Sequence, residues 1–350
     1  MEKKLISLAL QGGGSHGAFT WGVLDRLLEE PRIDIRGISG ASAGSMNAVA
    51  LAHGFTAGGR EGARHALKEF WDSVASRTPF ASLGDAPHTL IPEGADMGPP
   101  ASVKAMVSLA RFFSPYQLNP LDINPLREIL ARQIDFERLR KHGRIKLFIA
   151  ATEVRTGRLK VFRNDELTLE ALLASACLPT LHRPIEIDGE AYWDGGLSAN
   201  PPLFPLVHRC NARDLMVVLL HPSKRPELPT SADEIWQRLT EISFTSAFFT
   251  EFNGLALAKQ EAERPRFAFG ALERRLRALN LHVIENDELM TQLSVHSKLN
   301  VEPAFINALR EHGRNRAEAW LKRKFPFIGA RSSVRLARFL PALQKLAGAR

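Results

Sequence analysis

Short apolar runs alternate with stretches of helical spacing along most of the chain. Apolar runs of strand length, bounded by glycine or polar residues, occupy residues 5–10, 33–38, 146–152 and 214–220. Patterns with helical periodicity occupy residues 17–24, 45–52, 125–134 and 167–176. Because strands and helices alternate in this way, the sequence predicts an α/β fold with a mostly parallel sheet covered on both faces.

A glycine-flanked serine follows the second apolar run. The pentapeptide Gly40-Ala41-Ser42-Ala43-Gly44 has the form G-x-S-x-G, which turns a strand sharply into a helix with the serine at the apex. The following helix would place Ser42 at a helix N-terminus, where the dipole favours developing negative charge. Ser42 is therefore a candidate nucleophile. The alternative is a strand-to-helix turn without chemistry.

An earlier glycine cluster, Gly12-Gly13-Gly14, occupies the loop between the first strand and the first helix. Bare glycine amides in such a loop suit an oxyanion hole, which acyl transfer requires. The same stretch through Gly17 also satisfies G-x-G-x-x-G, with Asp34 near the distance of a ribose-binding acid. Nucleotide binding is thus a second interpretation, although a dinucleotide fold would not require the glycine elbow that follows Asp34.

A candidate base lies near residue 194. Two short alternating strands, 184–187 and 190–193, are joined by Asp188-Gly189, the signature of a type I′ hairpin turn. Asp194-Gly195-Gly196 ends the second strand. An aspartate at a strand end beside glycines can point into a cleft, where it could take the Ser42 proton directly.

These motifs make the chain resemble the patatin-like phospholipases. The glycine-rich loop Gly12 to Gly17, the elbow Gly40 to Gly44 and Asp194-Gly195-Gly196 appear in the family order, and the resemblance spans about residues 3 to 325. Further stretches similar to bacterial members are Ser114 to Pro120, Asn124 to Arg127, Ser175 to Pro179 and Ser297 to Asn300.

The resemblance implies a three-layer α/β/α fold and a Ser-Asp dyad without histidine. By motif matching, Ser42 would be the nucleophile, Asp194 the general base, and the backbone amides of Gly13, Gly14 and His16 the oxyanion hole. The implied reaction is hydrolysis of acyl esters in phospholipids or other lipids through an acyl-enzyme, with no metal and no cofactor.

One position departs from the family pattern. The residue before Gly17 is usually Arg or Lys, and here it is His16. If the family's cation supports the oxyanion loop, His16 would do so only when protonated, near a pKa of about 6.5. The alternative is that only its amide is used.

A conventional Ser-His-Asp hydrolase is the closest rival among enzymes. Histidines follow Asp194 at His208, His221, His282, His296 and His312. That fold usually places several strands before its elbow, however, whereas here the elbow follows the second predicted strand.

Length and composition fit one catalytic domain. The chain has 350 residues, of which 45% are hydrophobic, and we expect an acyl hydrolase domain over residues 1–325. Residues 81–117 are irregular and rich in glycine and proline, and we expect a lid or acyl-pocket insertion there. The formal net charge is +8, and basic residues collect near the C-terminus.

The tail, residues 326–350, interleaves basic and apolar residues and would suit an anionic membrane surface. A solvated or docked tail is the alternative. No signature of a nucleic-acid-binding motif accompanies the charge, so no nucleic acid partner is expected.

Other features fit a cytoplasmic enzyme, with peripheral contact at the inner membrane surface. No apolar run approaches the roughly 18 to 20 residues that span a bilayer. Cys177 and Cys210 form no disulfide framework or metal-ligand cluster. A hydroxyalkanoate polyester or simple ester hydrolase, and a non-catalytic lipid-binding module, remain alternatives to a phospholipase.

Overall fold

A computed structural model describes residues 3–76, 105, 108–263 and 270–334 of the chain. The predicted insertion at 81–117 therefore lies outside the described residues except for 105 and 108–117. The predicted tail lies outside them after residue 334.

One mixed sheet forms the centre of the described structure. Its eight strands are β1 (Lys4–Leu10), β2 (Ile33–Gly40), β3 (Lys146–Glu153), β4 (Leu159–Arg163), β5 (Ile185–Ile187), β6 (Glu190–Asp194), β7 (Asp214–Val218) and β8 (Asn280–Ile284). Their order is β5-β6-β3-β2-β1-β7-β8, and β4 also pairs with β3. The pairs β3–β2–β1–β7–β8 are parallel, whereas β3–β4, β3–β6 and β5–β6 are antiparallel. The predicted mostly parallel sheet is confirmed.

Helices cover the sheet. They are α1 (Gly17–Leu28), α2 (Ala43–Ala75), α3 (Pro115–Leu118), α4 (Pro125–Gln133), α5 (Phe136–His142), α6 (Leu169–Ser175), α7 (Phe204–Arg209), α8 (Ala232–Ser243), α9 (Ser246–Glu263), α10 (Ala271–Ala278), α11 (Asp287–Gln292) and α12 (Pro303–Lys324). The backbone leaves helical geometry at Gly58 and Gly59, so α2 consists of two helical segments joined by a kink. The helices predicted at 17–24, 45–52, 125–134 and 167–176 are confirmed.

Strand alternation explains the three layers. In β1, Ile6, Leu8 and Leu10 enter one core with residues of α1, α2 and α12, while Ala9 enters a second core with residues of α7, α9 and α10. Because successive side chains of a strand point to opposite faces, a run that is apolar throughout requires cover on both sides. The predicted α/β/α fold is confirmed.

Sheet register brings the two glycine motifs together. β1 and β2 run parallel, and Leu10 lies opposite Gly40 at their ends. The glycine-rich loop and the serine elbow therefore leave the sheet side by side at its carboxyl edge, where α/β proteins place their ligands.

The hairpin before Asp194 also follows its sequence signature. Asp188 has φ 51° and Gly189 has φ 81°, and a type I′ turn requires positive φ at both central residues. β6 then pairs with β3, where Asp194 lies opposite Ala151. The turn thus sets the register that delivers Asp194 to the sheet.

Residues beyond 325 still contact the domain. Ile328 is fully buried, the Leu281 N–H donates to Ser332 Oγ at 3.0 Å, and Val334 packs against the second core. The domain boundary at 325 stays a prediction, and the chain lies against the domain as far as residue 334. Among the described helices, none has the length and apolarity needed to cross a membrane.

Candidate active site

Ser42 forms the strained turn between β2 and α2. Its φ of 53° and ψ of −127° lie in a region that L-residues rarely adopt. The flanking glycines make this turn possible. A Cβ at Gly40 would lie 2.6 Å from the Gly44 carbonyl carbon, and a Cβ at Gly44 would lie 2.1 Å from Leu10 O. Ser42 itself is half-buried, so its hydroxyl is accessible.

The end of α6 holds the Ser42 backbone. The Ser42 N–H donates to Ser175 O at 3.0 Å and approaches Ser175 Oγ at 3.2 Å. Ser175 Oγ also lies 2.7 Å from Ser45 Oγ. These hydrogen bonds hold the Ser42 turn in place.

Asp194 is a fully buried carboxyl group at the end of β6. Its Oδ1 accepts a 2.7 Å hydrogen bond from the Gly196 N–H, and its own N–H donates to Cys177 O at 2.8 Å. The following glycines allow close packing. A Cβ at Gly195 would lie 2.1 Å from Ala150 O, and one at Gly196 would lie 2.5 Å from the Phe244 ring.

The structure brings Ser42 and Asp194 together. Burial raises the pKa of Asp194 to about 7, while the Gly196 N–H and the Ser42 hydroxyl lower that pKa. Asp194 Oδ2 accepts no hydrogen bond of full geometry from the described part of the chain. The Ser42 hydroxyl is thus near enough to influence the carboxyl group without completing a hydrogen bond, as is common before substrate binds.

Gly12 packs against Ser42. A Cβ at Gly12 would lie 2.7 Å from Ser42 Cβ, so only glycine fits there. Beyond it, Gly13 is half-buried and Gly14 is exposed, with φ of +58° at Gly14. No residue in the described ranges accepts a hydrogen bond from the Gly13 or Gly14 N–H. These two amides are free to bind a ligand oxygen.

His16 is buried, and its backbone N–H and ring Nε2 are already engaged. Its N–H donates to Gly13 O at 3.2 Å, which closes the short 3₁₀ turn Gly14–His16. Its Nε2 lies 2.7 Å from Ser297 Oγ. Burial, together with the nearby positive charges of Lys298 and Arg225, holds the pKa of His16 well below its usual value. The imidazole is therefore expected to be neutral near pH 7, and the role of His16 stays a prediction.

A cation nevertheless lies next to this loop. Lys298 O accepts a 3.0 Å hydrogen bond from Ser15 Oγ, and Lys298 Nζ donates to His221 Nε2 at 2.7 Å. Burial lowers the pKa of Lys298 to about 8; Glu241 opposes that shift and Arg225 adds to it. Lys298 is therefore mainly positive at pH 7. Lys298 was not predicted as a site residue, although it lies in the family-like stretch Ser297 to Asn300.

Two buried amides support the glycine-rich loop. Asn200 Oδ1 accepts a 2.6 Å hydrogen bond from the Gly12 N–H, and Asn200 Nδ2 donates to Phe244 O at 2.9 Å. Gln11 Oε1 accepts from the N–H groups of Leu220 and His221 at 2.7 and 3.0 Å. Neither side chain was predicted to matter, because nothing in the local sequence relates residue 11 to residue 200.

The histidines that could complete a Ser-His-Asp triad contact residues other than Ser42 and Asp194. His282 Nε2 lies 2.9 Å from Asp214 Oδ1, His296 Nε2 lies 2.9 Å from Gln237 Nε2, and His221 pairs with Lys298. His208 is exposed and His312 half-buried. No histidine of the described ranges forms a hydrogen bond to Ser42 or Asp194, so the structure gives the triad no support.

Asp34 lies far from the loop that a nucleotide would use. It pairs with Leu5 at the start of β1, whereas the glycine-rich loop follows Leu10. At ~3.3 Å per residue, these levels are about 17 Å apart. Asp34 instead forms a 3.1 Å ion pair with Arg36. The dinucleotide arrangement is therefore absent from this part of the chain.

A family model matches more than half of the chain. A family model described as "Patatin-like phospholipase" matches residues 8–207, a range that contains both glycine motifs and Asp194. At the level of sequence, no curated protein matches the chain.

Solved structures similar to the chain include VipD and a chain of the ExoU-SpcU complex. VipD from Legionella pneumophila is 16% identical, with a TM-score of 0.44, and the alignment covers 92% of this chain and 67% of that one. A chain of the ExoU-SpcU complex, from the type III secretion system of Pseudomonas aeruginosa, is 15% identical with a TM-score of 0.31. That alignment covers 99% of this chain and 60% of the other.

Proposed function

The chain belongs to the patatin-like phospholipase family, a family of lipid ester hydrolases, and on that basis we propose that it cleaves carboxylic esters through a Ser42–Asp194 dyad. The reaction is of the phospholipase A or lysophospholipase type. It proceeds through an acyl-enzyme and uses backbone amides of the glycine-rich loop as the oxyanion hole.

One observation carries the proposal. A half-buried serine in a strained turn at a helix N-terminus lies beside a buried carboxyl group whose pKa is raised to about 7. A general base works best when its pKa is near the operating pH, and a nucleophilic hydroxyl needs such a base within reach. Asp194 meets both conditions for Ser42.

Acylation follows from these positions. Ionised Asp194 accepts the Ser42 hydroxyl proton while Oγ attacks the acyl carbonyl carbon, and the carbonyl oxygen gains the negative charge. The free N–H groups of Gly13 and Gly14 are the proposed donors to this oxyanion, since the His16 N–H already bonds to Gly13 O. When the intermediate collapses, Asp194 returns the proton to the leaving alcohol.

Deacylation repeats the steps with water. Asp194 takes a proton from water, the resulting hydroxide equivalent attacks the acyl carbon, and the same amides bind the second oxyanion. The proton then returns from Asp194 to Ser42 Oγ, and a fatty acid leaves. Atoms and charge balance over the cycle, with water as the second substrate.

A fluorophosphonate probe tests the nucleophile. We expect labelling of the full chain, loss of labelling in Ser42→Ala, and strong reduction in Asp194→Asn. Ser76→Ala is the control, because Ser76 is exposed after the end of α2, its hydroxyl donates to Ser73 O at 3.0 Å, and its loss should leave labelling intact. Absence of labelling in the parent protein would contradict the dyad and favour a non-catalytic lipid-binding module.

A substrate panel tests the finer assignment. Phospholipids, lysophospholipids, acylglycerols, hydroxyalkanoate oligomers and short esters should be compared with the parent protein and Ser42→Ala. We expect phospholipid or lysophospholipid to have the highest kcat/KM. Hydrolysis confined to hydroxyalkanoate oligomers or simple esters would overturn the phospholipase assignment while retaining the dyad.

A further inference from the structure

Large apolar side chains are exposed mainly in two segments of the described chain. Of fourteen such exposed side chains, eleven lie in residues 109–123 and in α8. We call these eleven the apolar rim: Leu109, Phe112, Phe113, Tyr116, Leu118, Leu121, Ile123, Ile235, Trp236, Leu239 and Ile242. Single exposed apolar residues are ordinary, but such concentration marks an interaction surface.

The rim in α8 has the reverse of the usual helix pattern. Ile235, Leu239 and Ile242 recur at helical spacing and are exposed, whereas Glu241 is only 3% exposed and forms an ion pair with Arg225 at 2.9 Å. An ordinary surface helix buries its apolar stripe and exposes its charges. This helix therefore presents its apolar side chains outward.

Both rim segments are connected to the proposed dyad. Arg183 donates to Pro120 O at 2.8 Å and stacks on Tyr116, while Arg183 O accepts from Cys177 Sγ. Cys177 O in turn accepts the Asp194 N–H.

The α8 segment reaches the same site from its other end. Phe244, directly after α8, packs its ring against Gly196 beside Asp194. An ion pair between Arg111 and Asp233 joins the two rim segments to each other.

Charge on these segments shows no basic excess. Residues 109–123 and 232–243 together contain two basic and four acidic side chains. An excess of basic residues would favour anionic lipid, whereas its absence leaves apolar contact as the driving force. The rim therefore fits a zwitterionic surface.

We infer that the apolar rim docks the enzyme on the surface of zwitterionic lipid, so that acyl chains can pass from the lipid to Ser42. This inference rests on the proposed dyad. A protein partner or a second copy seated on the rim would cover the approach to the site, whereas a lipid surface supplies the substrate there.

Vesicle binding tests the rim without hydrolysis. The full chain carrying Ser42→Ala is sedimented with phosphatidylcholine vesicles. It is compared with a variant that carries Phe112→Ser, Leu121→Ser and Leu239→Ser in addition. We expect about 10-fold weaker partitioning for each lost contact and about 1,000-fold for the three combined. Raising salt from 0.15 M to 0.5 M should change binding little.

Leu272→Ser in α10 is the matched control. Leu272 is 48% exposed and Leu239 is 51% exposed, so both changes remove a similarly exposed leucine. The control should bind vesicles like its parent. Equal binding by control and rim variants, or steep loss of binding with salt, would overturn the proposal.

Activity on a dissolved short-chain ester separates the rim from the dyad. With Ser42 intact, the triple rim variant should hydrolyse monomeric p-nitrophenyl butyrate at the parent rate and lose activity on vesicles. Equal loss of activity on both substrates, or a lowered Tm of the triple rim variant, would overturn lipid docking. So would a dimer of the parent protein that the rim substitutions dissociate. If the parent lacks ester hydrolysis altogether, the dyad fails, while the vesicle-binding result still decides the rim.

Discussion

The side chain of Asn200 binds the backbone of Gly12, with Oδ1 accepting from the Gly12 N–H at 2.6 Å. This contact ties the loop beside Ser42 to the segment that follows Asp194. Since a Cβ at Gly12 would lie 2.7 Å from Ser42 Cβ, the position of Gly12 also affects the surroundings of Ser42. One buried amide thus couples the two halves of the proposed site.

Replacing Asn200 by alanine should therefore impair both stability and catalysis. The buried Gly12 N–H and Phe244 O would each lose a partner, at a cost of about 1–3 kcal/mol for a group left unsatisfied. We expect urea unfolding to show this loss and kcat to fall at least about 10-fold. Asn286→Ala is a control that removes a helix cap from Leu289 and should lower stability without changing kcat. An Asn200→Ala enzyme with unchanged kcat would contradict the coupling.

The pH dependence of activity should report Asp194. Burial raises the pKa of Asp194 to about 7, and the proposed base must be ionised to accept the Ser42 proton. We therefore expect kcat/KM on a soluble ester to rise with pH and to level off above an apparent pKa of about 7. Asp194→Asn should lower kcat by on the order of 10⁴-fold, the scale seen when the acidic member of a catalytic group is neutralised. A limb near pH 4, the ordinary range of a carboxyl group, would contradict this assignment.

Stability should depend on the same carboxyl group. Because the pKa of Asp194 is raised from 3.8 to about 7, its carboxyl group stays protonated in the folded protein between about pH 4 and pH 7, where it would be ionised in the unfolded chain. The contribution of this protonated carboxyl group to stability is fully present below about pH 4 and is lost as pH rises through 7. From pH 5 to pH 8 the Asp194→Asn variant should thus gain about 2 to 3 kcal/mol relative to the parent, at about 1.4 kcal/mol per pH unit.

Asp25→Asn controls for that measurement. Although burial opposes the shift, hydrogen bonds from Arg64 and Arg310 leave the pKa of Asp25 below its usual value. Its stability difference from the parent should stay constant between pH 5 and pH 8. A constant difference for Asp194→Asn as well would show that Asp194 is not a raised, buried acid.

Strain at Ser42 should be measurable by comparing two inactive variants. The backbone at φ 53° and ψ −127° costs an L-residue roughly 1–3 kcal/mol, and glycine relieves most of that cost. Ser42→Gly should therefore be about 1 kcal/mol more stable to urea than Ser42→Ala. Equal stabilities would mean that the elbow is unstrained.

Removing the positive charge of Lys298 should lower kcat and change how kcat depends on pH above about 8. Lys298 adjoins the Gly14 loop, and burial lowers its pKa to about 8. If its charge supports the oxyanion, kcat should fall above about pH 8 in the parent. Lys298→Met should lower kcat about 10-fold, equivalent to about 1.4 kcal/mol. In this variant kcat should no longer fall above about pH 8.

Lys298→Arg should retain activity at high pH because arginine stays charged. The neighbouring histidines do not titrate in that range. His16 and His221 have pKa values held well below 6.5 by burial and nearby cations. A Lys298→Met enzyme with the parent pH profile would contradict an electrostatic role.

Local sequence was sufficient for the motifs and for most elements. Glycines around Ser42 predicted an elbow because no side chain fits beside such a turn, and Asp188-Gly189 predicted a type I′ turn because both residues tolerate positive φ. Continuous apolar runs predicted buried strands because both faces of a covered sheet exclude water. These inferences depend only on neighbours in the chain.

The structure alone decided which distant groups meet. Residues such as Asn200, Ser175 and Lys298 lie more than a hundred positions from the loop or elbow that they contact. Whether His16 is charged likewise depends on burial and on Lys298 and Arg225, which no local pattern reveals. Composition and spacing determined the kind of fold and the candidate nucleophile and base. Hydrogen-bond partners, local dielectric and the outward apolar face of α8 arise only when sheet register and helix packing bring separate segments together.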